Sequence, residues 1–256
     1  MTHWKTRLNL EHPGWNGYRV LLGRLPDDHF PEPDDLNGLL LPGQVNAAGQ
    51  RIRFRPADQL PGVAYERHIY ESGEISTREG SWHDLFNALV WCRFPLLKAA
   101  MNAVHYDHLE EERHGRRGSR RDALTLFDES GVIVVSADTH LLDALRARDW
   151  RGAFVDCHTA WRAAGLLICG HAILEKLLSP YKALTAHALL LPLDKAGCAA
   201  DLDRRLAEGV ESGARLQTTT DLSPLPLMGV PGWWREGPQD EAFYADRSVF
   251  RPPRAD

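Results

Sequence analysis

Residues 81–105 read SWHDLFNALVWCRFPLLKAAMNAVH, the longest helical pattern in the chain. Ser81 opens the stretch and Asp84 stands three residues on. That is the spacing of a capping box, in which a hydroxyl and a carboxylate satisfy free amides at a helix start. Leu85, Phe86, Leu89, Leu96, Leu97, Ala100 and Val104 recur along one side at the helical period of about 3.6 residues. Pro95 lacks an amide hydrogen and clashes with the turn before it, so a kink or break is expected there. Short strand-like runs surround this helix without regular alternation of strand and helix, which predicts α+β ahead of α/β.

Working outward, Arg51–Arg55 alternates Arg-Ile-Arg-Phe-Arg, the period of a strand with one wet face. Ala64–Glu71 is read as a further strand ended by Ser72-Gly73, and Asp107–Arg121 as a charged linker. Asp122–Phe127 and Val132–Ser136 are read as a hairpin around Asp128-Glu129-Ser130-Gly131. The unbroken apolar run Val132–Val135 predicts a strand buried on both faces. Asp138 is expected to cap a helix reaching Arg148, with Leu141, Leu142 and Leu145 inward. A helix over about Cys169–Leu178, a strand at His187–Leu191 and a helix at Leu202–Glu208 complete the body. Residues 1–62 and 212–256, rich in Pro and Gly, read as extended segments laid over it. The expectation is one domain, 1–256, of mixed helices and short strands.

Composition narrows the function. With 43% hydrophobic and 25% charged residues the chain has an ordinary globular balance, and its formal charge of −5 speaks against a general nucleic-acid coat. No apolar run approaches the ~20 residues of a membrane span, and MTHWKTRLNLEHPGW lacks the apolar core of a secretory signal. Cys92, Cys157, Cys169 and Cys198 are scattered with no Cys-x-x-Cys pair, as expected of free thiols in a reducing compartment. A cytoplasmic protein with no membrane partner is the expectation.

On a helical plot of residues 81–105, His83, Asp84, Asn87, Trp91, Lys98, Asn102 and His105 share an arc of roughly 100°. Solvated helix faces favour Glu, Lys, Arg and Gln. Imidazoles and amides suit directed hydrogen bonds instead, which makes His83, Asp84, Asn87 and His105 catalytic candidates. The alternative is a buried helix whose polar groups bond to neighbouring backbone. His171 and Glu175, at i and i+4, project from one helical face. They can share a metal, the Glu can orient the imidazole, or the pair can simply join two helices. His187, at the start of a buried strand, joins the catalytic set.

A divalent metal ion is the cofactor these residues suggest, with His171, Glu175, Asp122, Asp128 and Glu129 as candidate ligands. Asp128–Gly131 is equally ordinary turn chemistry. Arg113, Arg116, Arg117, Arg120 and Arg121 form a basic cluster with glycines at 115 and 118. Of these, Arg116, Arg117, Arg120 and Arg121 are candidates to grip phosphate through guanidinium forks, unless the loop is merely solvated. No His-Glu-x-x-His, Gly-x-Ser-x-Gly, Walker or Gly-x-Gly-x-x-Gly motif is present, which disfavours the enzymes built on them.

Tyr65-Glu66, Gly73-Glu74, Thr77-Arg78, Trp82–Trp91, Asn102–His105, Arg121–Gly131, Gly170–Ala172 with Glu175, Thr185–Ala188, Pro231–Trp233 and Phe250–Pro252 together resemble one bacterial family. It is catalogued as domain of unknown function 3025. The resemblance spans nearly the whole chain and implies a single full-length domain in a bacterial cytoplasm, with no activity, cofactor or catalytic residue attached. The residues themselves suggest a hydrolase or transferase acting on a small or phosphorylated substrate. The competing expectation is a non-enzymatic protein that holds nucleic acid or another anionic partner on the Arg113–Arg121 loop.

Overall fold

In a computed structural model of the chain, residues 4–60, 64–112, 118–193 and 201–252 are described, with 110–112 as backbone alone. The elements run α1 (Arg19–Gly23), α2 (Pro33–Asn37), β1 (Arg53–Pro56), α3 (Tyr65–Ser72), β2 (Glu74–Thr77), α4 (Trp82–Arg93), α5 (Pro95–Glu112) and α6 (Ser119–Ser130). They continue with β3 (Gly131–Val135), α7 (Thr139–Ala147), α8 (Ala160–Ala163), β4 (Gly165–Ile168), α9 (His171–Lys176) and β5 (Thr185–Leu191). The last are α10 (Leu202–Glu211), β6 (Ser223–Pro226) and α11 (Glu241–Tyr244).

A run of apolar residues without alternation is stable only where both sheet faces are covered. β3 has that position: all five of its residues are buried. It lies inside a four-stranded sheet of order β4-β3-β5-β6. It pairs antiparallel with β4 through Val132↔Ile168 and parallel with β5 through Val132↔Ala188. A separate parallel pair joins β1 to β2. Helices segregated around a small mixed sheet make a single α+β domain.

Pro95 separates α4 from α5, and Phe94 takes φ −130° and ψ 60° at the break. The exposed amides at the start of α5 are satisfied from far away in sequence. Asp203 on α10 accepts from Leu96 N at 3.0 Å and Leu97 N at 2.9 Å. Asp138 caps α7 by accepting from Leu141 N, and Leu141, Leu142 and Leu145 are its buried residues.

Four local expectations are corrected. Asp107–Arg121 is not a linker throughout, because α5 runs on to Glu112 and α6 begins at Ser119. Residues 64–71 are not a strand, because Tyr65–Ser72 is helical and ends on Gly73. Gly73 lies at φ 76°, and its amide donates to Ile69 O at 2.8 Å. Ser72-Gly73 is therefore a helix stop, since glycine adopts the left-handed cap conformation without strain. The expected hairpin around 128–131 is one helix, α6, running directly into β3. Its buried residues Ala123, Leu124 and Phe127 follow the helical spacing, and Ser130 Oγ donates to Leu126 O one turn back. The capping box of α4 is half formed. Ser81 Oγ accepts from Asp84 N, but the Asp84 carboxylate accepts from Arg78 N at 2.7 Å and from its guanidinium.

The N-terminal segment winds through short helices and turns and places Trp4, Leu8, Trp15, Tyr18 and Leu22 in the core. Tyr18 Oη ties it to the sheet through Ile168 O at 2.6 Å. Trp233, Phe243 and Phe250 bury the C-terminal segment. Among the described residues no helix is long and apolar enough to cross a membrane.

Candidate metal centre

Two turns touch because a glycine leaves no side chain between them. Cys169 N and Gly170 N both donate to Gly131 O, at 3.0 and 2.7 Å. A Cβ on Gly170 would lie 2.5 Å from Gly131 N and 2.6 Å from Ser130 Cα. Glycine at 170 lets the β4–α9 turn lie directly on the α6–β3 turn. The contact sets His171, the first residue of α9, beside Asp128 and Glu129 in the last turn of α6. The first turn of α4 brings His83 to the same place from across a cleft of about 470 Å³.

His83 Nε2 and His171 Nε2 are 2.9 Å apart, and Glu129 Oε2 is 3.6 Å from His171 Nε2. One ligand atom from each of the three lies within 4.8 Å of the others, a possible metal-binding triad. With metal–nitrogen bonds of about 2.0–2.1 Å, nitrogens this far apart subtend roughly 90° at a shared ion. Behind His83, Glu175 Oε2 lies 3.1 Å from Nδ1. A carboxylate can only accept, so it holds a proton on Nδ1 and turns the Nε2 lone pair to the centre.

His171 is left with a mismatched nitrogen. With His83 Nε2 bare, the 2.9 Å contact puts a proton on His171 Nε2 and leaves its Nδ1 a bare acceptor. That atom is buried without a hydrogen-bond partner, and the nearest charge, Asp128 Oδ2 at 3.8 Å, is itself an acceptor. A cation held by both Nε2 atoms would leave the His171 proton on Nδ1, on the side of Asp128. Two imidazole nitrogens and a carboxylate oxygen are donors of the kind a divalent ion takes.

A buried polar chain backs the cleft. Asp128 pairs with Lys98 Nζ, Lys98 donates to Asn87 Oδ1 at 3.1 Å, and Asn87 Nδ2 donates to Tyr65 Oη at 2.8 Å. Burial pushes the Asp128 carboxyl up, but the Lys98 ammonium and His171 more than offset it and hold it below its ordinary range. Burial lowers His171 against the attraction of Asp128, and it depresses His105 to about 4. His105 Nδ1 is buried and unpartnered. Glu66 is raised by burial, although Asn102 donates to it. Burial would raise Asp84 as well, but the Arg78 hydrogen bonds outweigh it and leave Asp84 low.

Of the residues singled out in sequence, His83, Asp84, Asn87, His105, Arg121, Asp128, Glu129 and His171 line this one cleft. Glu175 stands behind His83. His187 does not line the cleft; its Nδ1 lies 2.8 Å from Ser130 Oγ, where it braces the α6–β3 turn. Asp122, in the first turn of α6, stands outside both the cleft lining and the ligand group. Arg120 turns away and donates to Val210 O. Arg113, Arg116 and Arg117, like Cys198, lie outside the described residues.

Tyr65, Glu66 and Arg78 also line the cleft. Residue chemistry alone gave no reason to choose them, since a segment read as a strand offers no common face with α4. Helix ends around a small mixed sheet thus gather two histidines and a carboxylate in one polar cleft. The chain belongs to the family described as protein of unknown function (DUF3025), whose model matches residues 52–254. No curated protein and no solved structure matches it.

Proposed function

We propose that the protein is a metal-dependent hydrolase acting on a small or phosphorylated substrate, with His83, Glu129 and His171 holding one divalent ion. The observation that carries this reading is the facing pair of Nε2 atoms 2.9 Å apart, with Glu129 beside them and Glu175 behind. Two imidazoles and a carboxylate are a common catalytic set because they leave positions open for water and substrate. Such an ion supplies Lewis-acid polarisation and a water acidic enough to attack near neutral pH. The chain's own residues then fix the rest. Glu175 orients His83, Asp128 stands beside His171 Nδ1, and Arg121 brings a guanidinium to the cleft wall, where Arg78 is paired with Asp84. His105, held neutral by burial, adds an uncharged imidazole to the cleft wall.

The test is turnover of a chromogenic panel, p-nitrophenyl phosphate and p-nitrophenyl acetate, with zinc, manganese or magnesium added. Hydrolysis that a chelator abolishes, and that His83→Ala and Glu129→Gln lose, is the expected result. Turnover indifferent to both chelator and His83→Ala would contradict it.

A further inference from the structure

The polar chain behind the cleft has a direction, and the direction follows from Lys98. An ammonium has only donors, so the Asn87 amide must turn Oδ1 toward Lys98 and Nδ2 toward Tyr65. Both contacts are made, at 3.1 and 2.8 Å. Tyr65 Oη therefore accepts from Asn87 and cannot donate back to it. Among the described residues the hydroxyl makes no other hydrogen bond. The tyrosine lines the cleft that His83, Glu129 and His171 share.

We propose that Tyr65 is the donor that receives a substrate oxyanion in this cleft, with Asn87 as the positioning residue that keeps its proton aimed there. The assignment rests on reading the cleft as a hydrolase site. Tyr65 is 42% exposed, so its ring reaches the open side of the cleft; desolvation of the hydroxyl itself, and then the Glu66 and Asp128 carboxylates, still hold the phenol above its ordinary range and protonated. The Asp128–Lys98–Asn87 chain polarises the hydroxyl from behind, so the donor strengthens where negative charge develops. The ligand chemistry is an oxygen of a phosphoryl group, or of the tetrahedral centre formed from an acyl group.

Inorganic phosphate is the probe. Its binding is measured calorimetrically on metal-free protein and on protein loaded with one equivalent of zinc, with thermal melts as a check on folding. Tyr65→Phe is expected to weaken phosphate binding roughly tenfold or more, the effect of losing one hydrogen bond to a charged group. Asn87→Asp keeps the shape but replaces a donor with an acceptor, so the Tyr65 proton must turn inward. It is expected to weaken binding in the wild-type background and to add little in the Tyr65→Phe background. An equal added loss in both backgrounds would mean charge repulsion alone and would remove Asn87 from the proposal. Equal phosphate affinity in wild type and Tyr65→Phe, or no phosphate binding by wild type in either form, would overturn it. If the protein takes up no metal yet binds phosphate through Tyr65, the metal reading falls and the Tyr65 donor stands.

Discussion

Strand β3 lies between β4 and β5 with every residue buried and apolar, whereas α4 and α5 bury Asn87, Lys98, Asn102 and His105 beside their leucines. β3 is paired along both edges, with β4 and with β5, and its side chains ask for nothing but contact. Along α4 and α5 the side chains form a hydrogen-bonded chain that is incomplete: Trp91 Nε1, Asn102 Oδ1 and His105 Nδ1 are buried without partners. A buried polar atom without a partner costs about 1–3 kcal/mol. The two regions differ in kind: β3 offers contact alone, while α4 and α5 carry the polar side chains that line and back the cleft.

The largest expected effects lie where both regions are plain core. Trp91 is 1% exposed and Ile133 fully buried, so Trp91→Ala is expected to cost about 3–5 kcal/mol and Ile133→Ala about 2–5 in urea unfolding. A loss below about 1 kcal/mol for Trp91→Ala would put this residue outside the core and weaken the contrast. Next is the buried ion pair. Lys98→Met strands the Asp128 carboxylate and is expected to cost about 3 kcal/mol, and the double variant with Asp128→Leu to regain most of it. A double variant as unstable as the single one would show that Lys98 acts through packing.

The histidines add a pH signature. His105 takes its proton near pH 6.5 when unfolded and only at about 4 when folded. The unfolded chain binds the extra proton in that window, so its contribution is whole above pH 6.5 and is lost as pH falls toward 4. His12 and His187, also lowered by burial, act with the same sign. Relative to wild type, His105→Gln is expected to remove about 1.4 kcal/mol per pH unit from the slope of stability between those limits. Parallel slopes for the two proteins would contradict the buried neutral imidazole. The smallest effect belongs to His83. Its side chain is 36% exposed at the cleft, so His83→Ala is expected to change stability by no more than about 1 kcal/mol.

The two regions also differ in how far they could be read in sequence. The run Val132–Val135 and the cap at Asp138 are local signals, and each has one physical reading that the fold keeps. The polar arc of residues 81–105 was legible too, although the break at Pro95 means that α4 and α5 bring their polar residues to the cleft as separate helices. Glu129 was visible as a candidate ligand but on the wrong element, because Asp-Glu-Ser-Gly has the chemistry of a turn whether a hairpin or a helix end surrounds it. The spacing of Ala123, Leu124 and Phe127 was the signal for a helix. The pairing of His83 with Glu175, and the capping of α5 by Asp203, span too much sequence for any local pattern to hold them. Tyr65 was hidden for the same reason: its meaning comes from Asn87 and Lys98 on two other helices.

The central claim is that His83, Glu129 and His171 hold one divalent ion, and metal content tests it most directly. Purified protein, dialysed against zinc and then against metal-free buffer, is analysed for bound metal alongside His83→Ala, His171→Ala and His187→Ala. One equivalent is expected to stay with wild type and with His187→Ala, whose imidazole stands outside the cleft, and little with His83→Ala or His171→Ala. Wild-type protein that retains no zinc, manganese or magnesium, or His171→Ala that retains as much as wild type, would contradict it.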